Sequence, residues 1–274
     1  MRILLATGGS PNSKAALRFG AHVAGCVAAT LTLLTVIRHE KERPQADAIL
    51  ARAVWPLKSA APTIQTQVRI GHPAEEIIRE AEEKAYDLVI VGDRQRRDLV
   101  TRFLLGSTAA RVVEHAPCPV IIAKGKISPV RRILLCDSGI EAPALINRFS
   151  VQLAELIRGE EEITVLHVMS QISAGPGIRG QQLRADAQEL IENEAPEGEL
   201  LRQDVQLLEG LKLRPHPKVR HGLVVDEILA EAYDGDYDLV VIGANRGEGW
   251  RRILLDDLAH QIIVQLDRPV LVVR

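Results

Sequence analysis

Two short segments of the chain contain the residue types of phosphate-binding loops. The first, residues 6–13, contains the consecutive glycines Gly8 and Gly9, which let a backbone approach a ligand closely. The second has Gly106 followed by Ser107 where a helix is expected to begin, and a helix start offers unpaired N–H groups and a positive dipole end to an anion. Both segments also fit ordinary strand-to-helix turns, so the residues alone leave the two interpretations open.

Positive charge accumulates just before the second segment. Four arginines lie there: Arg94, Arg96, Arg97 and Arg102. They would suit a phosphate, an acidic partner or solvent, and the sequence does not choose among these. Near the first segment, Ser10 or Ser13 is expected to cap the helix that follows.

No catalytic set is evident. The eight histidines include no pair at a metal-ligand spacing such as H-x-x-x-H, and Ser10 and Ser107 lack the G-x-S-x-G of hydrolases. The cysteines Cys26, Cys118 and Cys136 form no C-x-x-C pair, so neither a zinc site nor a disulfide framework is indicated. We therefore expect no metal site and no enzymatic activity.

Composition excludes several classes of partner. The 274 residues have a formal net charge of −2, which gives no global field to attract nucleic acid or an anionic membrane. Only 3% are aromatic, too few for a base-stacking platform. The N-terminus lacks the pattern of a signal peptide, and no apolar run reaches the roughly 18 residues of a membrane span. A cytoplasmic location is expected.

The positions of the two segments follow from an internal repeat. Residues 86–92 reappear almost unchanged as residues 237–243, and residues 2–5 return as residues 132–135. We expect a first domain at 1–125, a linker at 126–129 and a second domain at 130–274. The second domain has an insertion near 172–210, which is expected to enlarge a surface helix.

Within each copy, β-branched runs alternate with amphipathic stretches, which is typical of a doubly wound parallel sheet of five strands. In the first copy the pattern predicts strands near residues 2–7, 31–36, 65–70, 88–91 and 120–123, with helices near 13–23, 45–55, 74–84 and 107–114. In the second copy it predicts strands near 132–136, 163–168, 218–221, 239–242 and 270–273. The periodicity of the third helix turns Ile77 to the core and Glu76 and Glu80 to water.

The ordered motifs resemble those of the universal stress protein family over nearly the whole chain. The resemblance is carried by residues 3–10, by Gly71 and Pro73, by residues 87–92, by Gly106 with Ser107, and by residues 115–120. The second copy matches more loosely. The resemblance implies a Rossmann-like, adenine nucleotide alpha hydrolase-like fold in each half, arranged as a pseudo-dimer. It also implies a stress-response protein without catalysis.

Family members that bind ATP carry an aspartate at the end of the first strand and G-x-x-G-x9-G-[S/T] after the fourth. In the first copy Gly8 stands at the acidic position, Gln95 replaces the second glycine, and one extra residue precedes Gly106. ATP with Mg2+ is therefore a candidate ligand of the first domain alone. The residues that the resemblance assigns to this nucleotide site are Ala6, Thr7, Gly8, Gly9, Val36, Gly92, Arg94, Gly106, Ser107 and Thr108.

The second copy departs further from the family pattern. Arg246 stands for a glycine, and Asp256 with Asp257 stands for the Gly-Ser pair. A phosphate about 4 Å from such a carboxylate would meet roughly 1–4 kcal/mol of repulsion per charge. Asp137 does not restore the acidic anchor, because the ungapped alignment places Ser138 there. We expect the second pocket to be degenerate.

Two functional hypotheses follow, a non-catalytic stress protein that acts through protein partners and an adenine-nucleotide sensor that uses the first domain. Residues 7–10 also faintly resemble the loop of adenylating pyrophosphatases, but Pro11 and Asn12 break that motif. The last strand of each copy is apolar and is expected to pair with the other. Pairing of whole chains into a homodimer is a further expectation.

Overall fold

The structure is a computed structural model, and it describes residues 1–26, 29–93, 106–125, 127–137, 162–169, 185–211, 213–243 and 257–273. Several sequence predictions lie outside these ranges. They concern the arginine cluster that includes Arg94, the residues Gln95, Ser138, Arg246 and Asp256, and the first part of the 172–210 insertion.

The described elements alternate between strands and helices in both halves. The first half contains β1 (Arg2–Ala6), α1 (Pro11–Cys26), β2 (Thr30–Ile37), α2 (Arg43–Val54), β3 (Thr63–Ile70), α3 (Pro73–Lys84), β4 (Leu88–Gly92), α4 (Ser107–His115) and β5 (Val120–Ala123). The second half contains β6 (Arg132–Asp137), β7 (Glu162–Met169), α5 (Ala187–Glu192), α6 (Pro196–Gly210), β8 (Arg214–His221), α7 (Val224–Asp234), β9 (Leu239–Gly243), α8 (Asp257–Gln265) and β10 (Val270–Val273).

The ten strands form one continuous sheet in the order β3-β2-β1-β4-β5-β10-β9-β6-β7-β8. Each half is parallel, and its strand order reverses between the first and fourth strands, as the doubly wound prediction requires. β5 and β10 join the halves as an antiparallel pair, with Leu271 opposite Ile121. The predicted pairing of the last strands is confirmed, and it merges the two expected sheets into one.

Apolar residues cover both faces of the sheet. One core packs under α1 and α2, where Phe19, Leu33 and Leu50 are buried, and it continues into the second half. The other packs under α3 and α4 and includes Val112 and Val113. Helices on both faces explain why the strands read as nearly continuous apolar runs.

One strand begins earlier than its sequence pattern indicates. β8 starts at Arg214, whereas the apolar pattern placed it near residues 218–221. Pro215 and Pro217 conceal the start, because proline lacks the N–H of a regular ladder. Both nevertheless pair in register with β7, at a sheet edge where proline is tolerated.

The repeated Tyr-Asp peptide has a structural role in both halves. Asp87 accepts a hydrogen bond from the backbone N–H of Arg2 at 2.7 Å, and Asp238 accepts one from that of Arg132 at 3.1 Å. In the first half the Arg2 guanidinium lies over the ring of Tyr86 at 5.2 Å. The recurrence therefore reflects how the first and fourth strands are tied together in each half.

A buried ion cluster lies beside this tie in the first half. Arg69 of β3 bonds Glu80 at 2.6 Å and Glu76 at 3.4 Å, and Tyr86 donates to Glu80 at 3.0 Å. The prediction that Glu76 and Glu80 face water is wrong, since they are 6% and 0% exposed. Helical periodicity gave no sign that an arginine from the neighbouring strand covers this face.

The same cluster recurs in the second half around Glu231. This carboxylate, 1% exposed, bonds Arg220 and Lys218, each at 2.7 Å. Burial alone would raise the pKa of Glu231, but hydrogen bonds from Lys218, Tyr237 and Arg220 lower it below its ordinary value. The cluster thus keeps a buried carboxylate ionised.

The described part of the 172–210 insertion belongs to the core. Asp186 caps α5 with a capping box, and α6 buries Leu201 and Leu208 in the core shared with α1 and α2. α6 lies between β7 and β8 in the chain, as α2 lies between β2 and β3. α6 is therefore the crossover helix between these strands, and it buries one face in the core.

Two consecutive residues after β5, Lys124 and Gly125, contact the second half at the junction. The Lys124 ammonium, 5% exposed, donates to the backbone carbonyl of Ile263. Gly125 has φ +65°, and a Cβ there would lie 1.6 Å from the carbonyl oxygen of Asp267. Only glycine fits this position without a shift of the backbone.

A candidate nucleotide pocket in the first half

A cavity of about 430 Å3 opens at the carboxyl ends of β1 and β4. This is the place where strand order reverses, which is the usual ligand position in a doubly wound sheet. It is lined by Ala6, Thr7, Gly8, Ser10, Ser13, Leu34, Val36, Pro73, Ile77, Val91, Gly92, Gly106, Ser107, Thr108 and Ala109.

The loop from β1 to α1 forms one wall. Ser10 caps α1, since its hydroxyl accepts the N–H of Ser13 at 3.3 Å and its carbonyl accepts the Ser13 hydroxyl at 2.8 Å. The Thr7 carbonyl accepts the hydroxyl of Thr35 at 2.9 Å, which fixes the end of β1. A Cβ on Gly8 would meet nothing within 4 Å, so this position has room for a side chain.

The start of α4 forms the opposite wall. Gly106 is its N-cap, and the amides of Ser107, Thr108 and Ala109 have no acceptor within the helix. The Gly106 N–H donates to a carboxylate oxygen of Asp93 at 3.2 Å. One amide of the predicted cradle is therefore already occupied, and three remain for an anion.

The charge near the cavity comes from its border. Among the described residues, the lining contains no ionisable side chain. Asp93 lies just beyond Gly92, and Lys124 is close enough for the two charges to interact. Burial lowers the pKa of Lys124 to about 8, while the charges of Asp93 and Asp267 act in the opposite direction. The Lys124 charge offsets part of the field of Asp93.

The structure brings together most of the predicted site. Eight of the ten candidate residues line the cavity: Ala6, Thr7, Gly8, Val36, Gly92, Gly106, Ser107 and Thr108. Gly9 instead lines a neighbouring cavity, and Arg94 lies outside the described residues. Sequence reasoning missed the apolar wall of Leu34, Pro73 and Ile77. The strand order would have revealed Leu34, because β2 lies beside β1, whereas Pro73 and Ile77 are brought in by the packing of α3.

Comparison with known proteins identifies the family. A model of the universal stress protein family matches residues 1–124 and again residues 129–274. This chain belongs to the universal stress protein family.

Individual universal stress proteins match over different lengths. One from Methanocaldococcus jannaschii is 44% identical over 61 residues, which cover 22% of this chain and 35% of that protein. One from Mycolicibacterium smegmatis is 25% identical over 302 residues, covering 99% of this chain and 96% of that protein. The first of these matches thus spans little more than a third of its relative's length.

A solved universal stress protein from Archaeoglobus fulgidus shares the complete fold. It covers 100% of this chain and 96% of its own, with 19% identity and a TM-score of 0.72. At that identity the likeness establishes the tandem architecture of a universal stress protein and nothing about a ligand.

In the second half, the residues at the position equivalent to this pocket lie largely outside the described ranges. Ser138, Arg246 and Asp256, which carry the prediction of a degenerate pocket, lie outside the described residues. Asp137 ends β6 and Asp257 begins α8, but their side chains are not described either. The degenerate pocket stays a prediction.

The described residues contain neither a candidate metal cluster nor a candidate membrane span. No group of three or more His, Cys, Asp or Glu side chains in these ranges is placed to hold a metal ion. No helix in the described part of the chain combines the length and apolar character needed to cross a bilayer.

Proposed function

We propose that this protein is a non-catalytic universal stress protein whose first half senses an adenine nucleotide and reports it to protein partners in the stress response. The observation that carries the proposal is the cavity at the ends of β1 and β4, with three unoccupied helix amides on one side and an apolar wall on the other. A nucleotide needs both surfaces, one for its phosphates and one for its base.

Each part of a nucleotide has a matching group in this lining. The amides of Ser107, Thr108 and Ala109 would bind phosphate oxygens at the positive end of α4. Leu34, Val36 and Ile77 would pack against the base. The glycines at positions 8 and 92 keep the space between these surfaces free of side chains.

Magnesium fits this site only as part of the nucleotide. Mg2+ prefers carboxylate oxygens, phosphates and water, and the described residues of the lining offer hydroxyl groups but no carboxylate. The nearby carboxylate of Asp93 is bonded to the Gly106 amide. The ion would neutralise phosphate charge beside Asp93, while the chain's own groups bind the phosphates and the base.

The lining also supports the non-catalytic part of the proposal. A general base must lie within hydrogen-bond reach of the proton that it removes. The described lining contains serine and threonine hydroxyls but no histidine, lysine, cysteine or carboxylate that could activate them. Binding without turnover is what these groups can provide.

A second candidate function omits the nucleotide and keeps the partners. It is favoured by two observations, the absence of an acidic side chain at Gly8 and the Asp93 carboxylate that occupies the Gly106 amide. A phosphate about 4 Å from Asp93 would meet roughly 1–4 kcal/mol of repulsion per charge.

Calorimetric titration with ATP and Mg2+ separates the two candidates, together with native mass spectrometry of the freshly purified protein. The sensor predicts saturable binding, which Gly106→Asp should weaken at least tenfold because it adds a carboxylate to the phosphate site. Gly8→Asp should tighten binding, since the open space there admits the aspartate that the family's ATP-binding pattern has at this position. Gly210→Asp, at a site with nothing within 4 Å of a Cβ, is the matched control.

Three results have defined meanings. No heat and no retained nucleotide at millimolar ATP would exclude the sensor and leave the partner-only function. Binding that Gly106→Asp does not change would place the nucleotide elsewhere. Steady release of ADP from the wild-type protein, absent from Gly106→Asp, would contradict the non-catalytic part.

A further inference from the structure

A second cavity, of about 630 Å3, lies between α1 and α2. Its floor is apolar and is formed by Leu17, Ala21, Ile49, Ala53 and Pro56. The volume lies within the range of small-molecule sites, roughly 300–1,000 Å3. It shares Thr7 and Ser13 with the nucleotide cavity, but none of the groups proposed to bind the phosphates or the base lines it.

Three cations line the same cavity without a counterion. Lys14 and Arg18 lie one turn apart on α1, and Arg52 approaches from α2. None of the three forms an ion pair within the described residues, and no carboxylate lines the cavity. Arg43, on the same helix as Arg52, is by contrast paired with Glu40 at 2.9 Å.

This arrangement differs from an ordinary solvated helix face. Cations on a helix are usually balanced by acids one turn away, yet the 16 residues of α1 contain no acidic side chain. Here the three cations are exposed to solvent and border a concave apolar surface. Arginine forks bind carboxylate and phosphate groups bidentately, and the apolar floor can bury a hydrocarbon body.

We propose that the cleft between α1 and α2 is a binding site for a small amphipathic anion, a ligand with an apolar chain and one terminal carboxylate or phosphate. The hydrocarbon chain of the ligand lies along Leu17, Ala21 and Ile49, and its anionic end contacts Arg18 and Arg52. The ligand needs both its apolar part and its charged part. The apolar floor has no hydrogen-bond donor for an anion, and the cations without the floor are only a solvated surface.

An optical reporter stands at the edge of the cleft. Trp55 directly precedes the lining residue Pro56 and is 79% exposed, while the chain has one other tryptophan. When the hydrocarbon chain of the ligand enters beside Pro56, it reduces the contact of the Trp55 indole with water. Binding should therefore shift Trp55 emission to shorter wavelength, and Trp55→Phe should remove the shift.

The test titrates the full-length protein with four amphiphiles that share a twelve-carbon chain, each below its critical micelle concentration. Dodecanoate and dodecyl phosphate carry the anion, dodecanol is neutral, and dodecyltrimethylammonium is cationic. Saturable binding of at least one anion, at least tenfold tighter than that of the neutral and cationic compounds, is expected by fluorescence and calorimetry. Preference for the carboxylate would indicate a fatty-acid source, and preference for the phosphate a phospholipid-derived one.

A double variant with Arg18→Gln and Arg52→Gln should bind the anion at least tenfold more weakly. Arg43→Gln, on the same helix as Arg52 but paired outside the cleft, should leave the affinity for the anion unchanged. Circular dichroism checks that both variants are folded. Equal binding of all four amphiphiles, equal binding by the double variant, or no binding of either anion would overturn the proposal, as would binding only to anionic vesicles or to a partner protein.

Discussion

Replacing Lys124 with methionine should remove a pH dependence from the stability of the protein. Burial lowers the pKa of this amine from 10.5 to about 8. Between these values the folded chain binds fewer protons than the unfolded chain, so the free energy of unfolding rises with pH across that window. Below about pH 8 the amine is charged in both states, and its contribution is constant.

The magnitude follows from the size of the pKa difference. Each unit corresponds to about 1.4 kcal/mol, so the rise from pH 8 to 10.5 is about 3 kcal/mol. At pH 7 the substitution relieves this cost of burying a cation but also removes the hydrogen bond to Ile263, worth about 1 kcal/mol. Lys124→Met should therefore be about 2 kcal/mol more stable than the wild type at pH 7, and less stable above pH 10.5.

Urea unfolding followed by circular dichroism at intervals from pH 7 to 10.5 measures this directly. The wild-type and Lys124→Met curves of unfolding free energy against pH should cross, whereas Lys58→Met, at an exposed lysine, should run parallel to the wild type. Parallel curves for Lys124→Met would refute the reasoning, because they would show that this amine has the same pKa in both states.

Three further substitutions test the packing, each by urea unfolding. Arg69→Met should lower the free energy of unfolding by about 1.5–3 kcal/mol, because it removes the cation shared by Glu76 and Glu80 and leaves them with Arg79 and Lys84, whereas Arg43→Met, at an exposed pair, should leave it nearly unchanged. Glu231→Gln should lose less stability than the wild type on acidification below about pH 4.5, because the pKa of this glutamate is lowered in the folded state; an unchanged acid profile would contradict this. Gly125→Ala should destabilise by more than about 1 kcal/mol, since its φ is positive and its space is filled, whereas Gly210→Ala, in an open helical position, should not destabilise; equal effects would show that the junction relaxes.

The fold was predictable because each half repeats one pattern of apolar strands and amphipathic helices. The predicted strand limits agree within a residue or two except at β8, where Pro215 and Pro217 interrupt the pattern. Long-range contacts were not predictable in this way. Helical periodicity placed Glu80 in water, yet an arginine eleven positions earlier covers it.

The candidate site likewise has a part that the sequence predicts and a part that it does not. Glycine and serine positions at strand ends and helix starts were recognisable, because the chemistry of phosphate binding requires those residue types. The Asp93 carboxylate on the Gly106 amide was not, because it depends on how the end of β4 meets the start of α4. The buried Lys124 was not either, because its burial depends on contact with the second half. The arginines of the cleft between α1 and α2 give no signal until both helices are side by side.

The two prolines of β8 also make one end of the sheet less suited to pairing with a strand of another copy. The ends of the sheet are β3 and β8, and the prolines deprive the outer rim of β8 of two hydrogen-bond donors. The opposite rim, formed by the proline-free β3, keeps all of its donors. Strand addition is therefore favoured at β3 over β8, and we expect an assembly that uses β3 alone to stop at two subunits without extending into a filament.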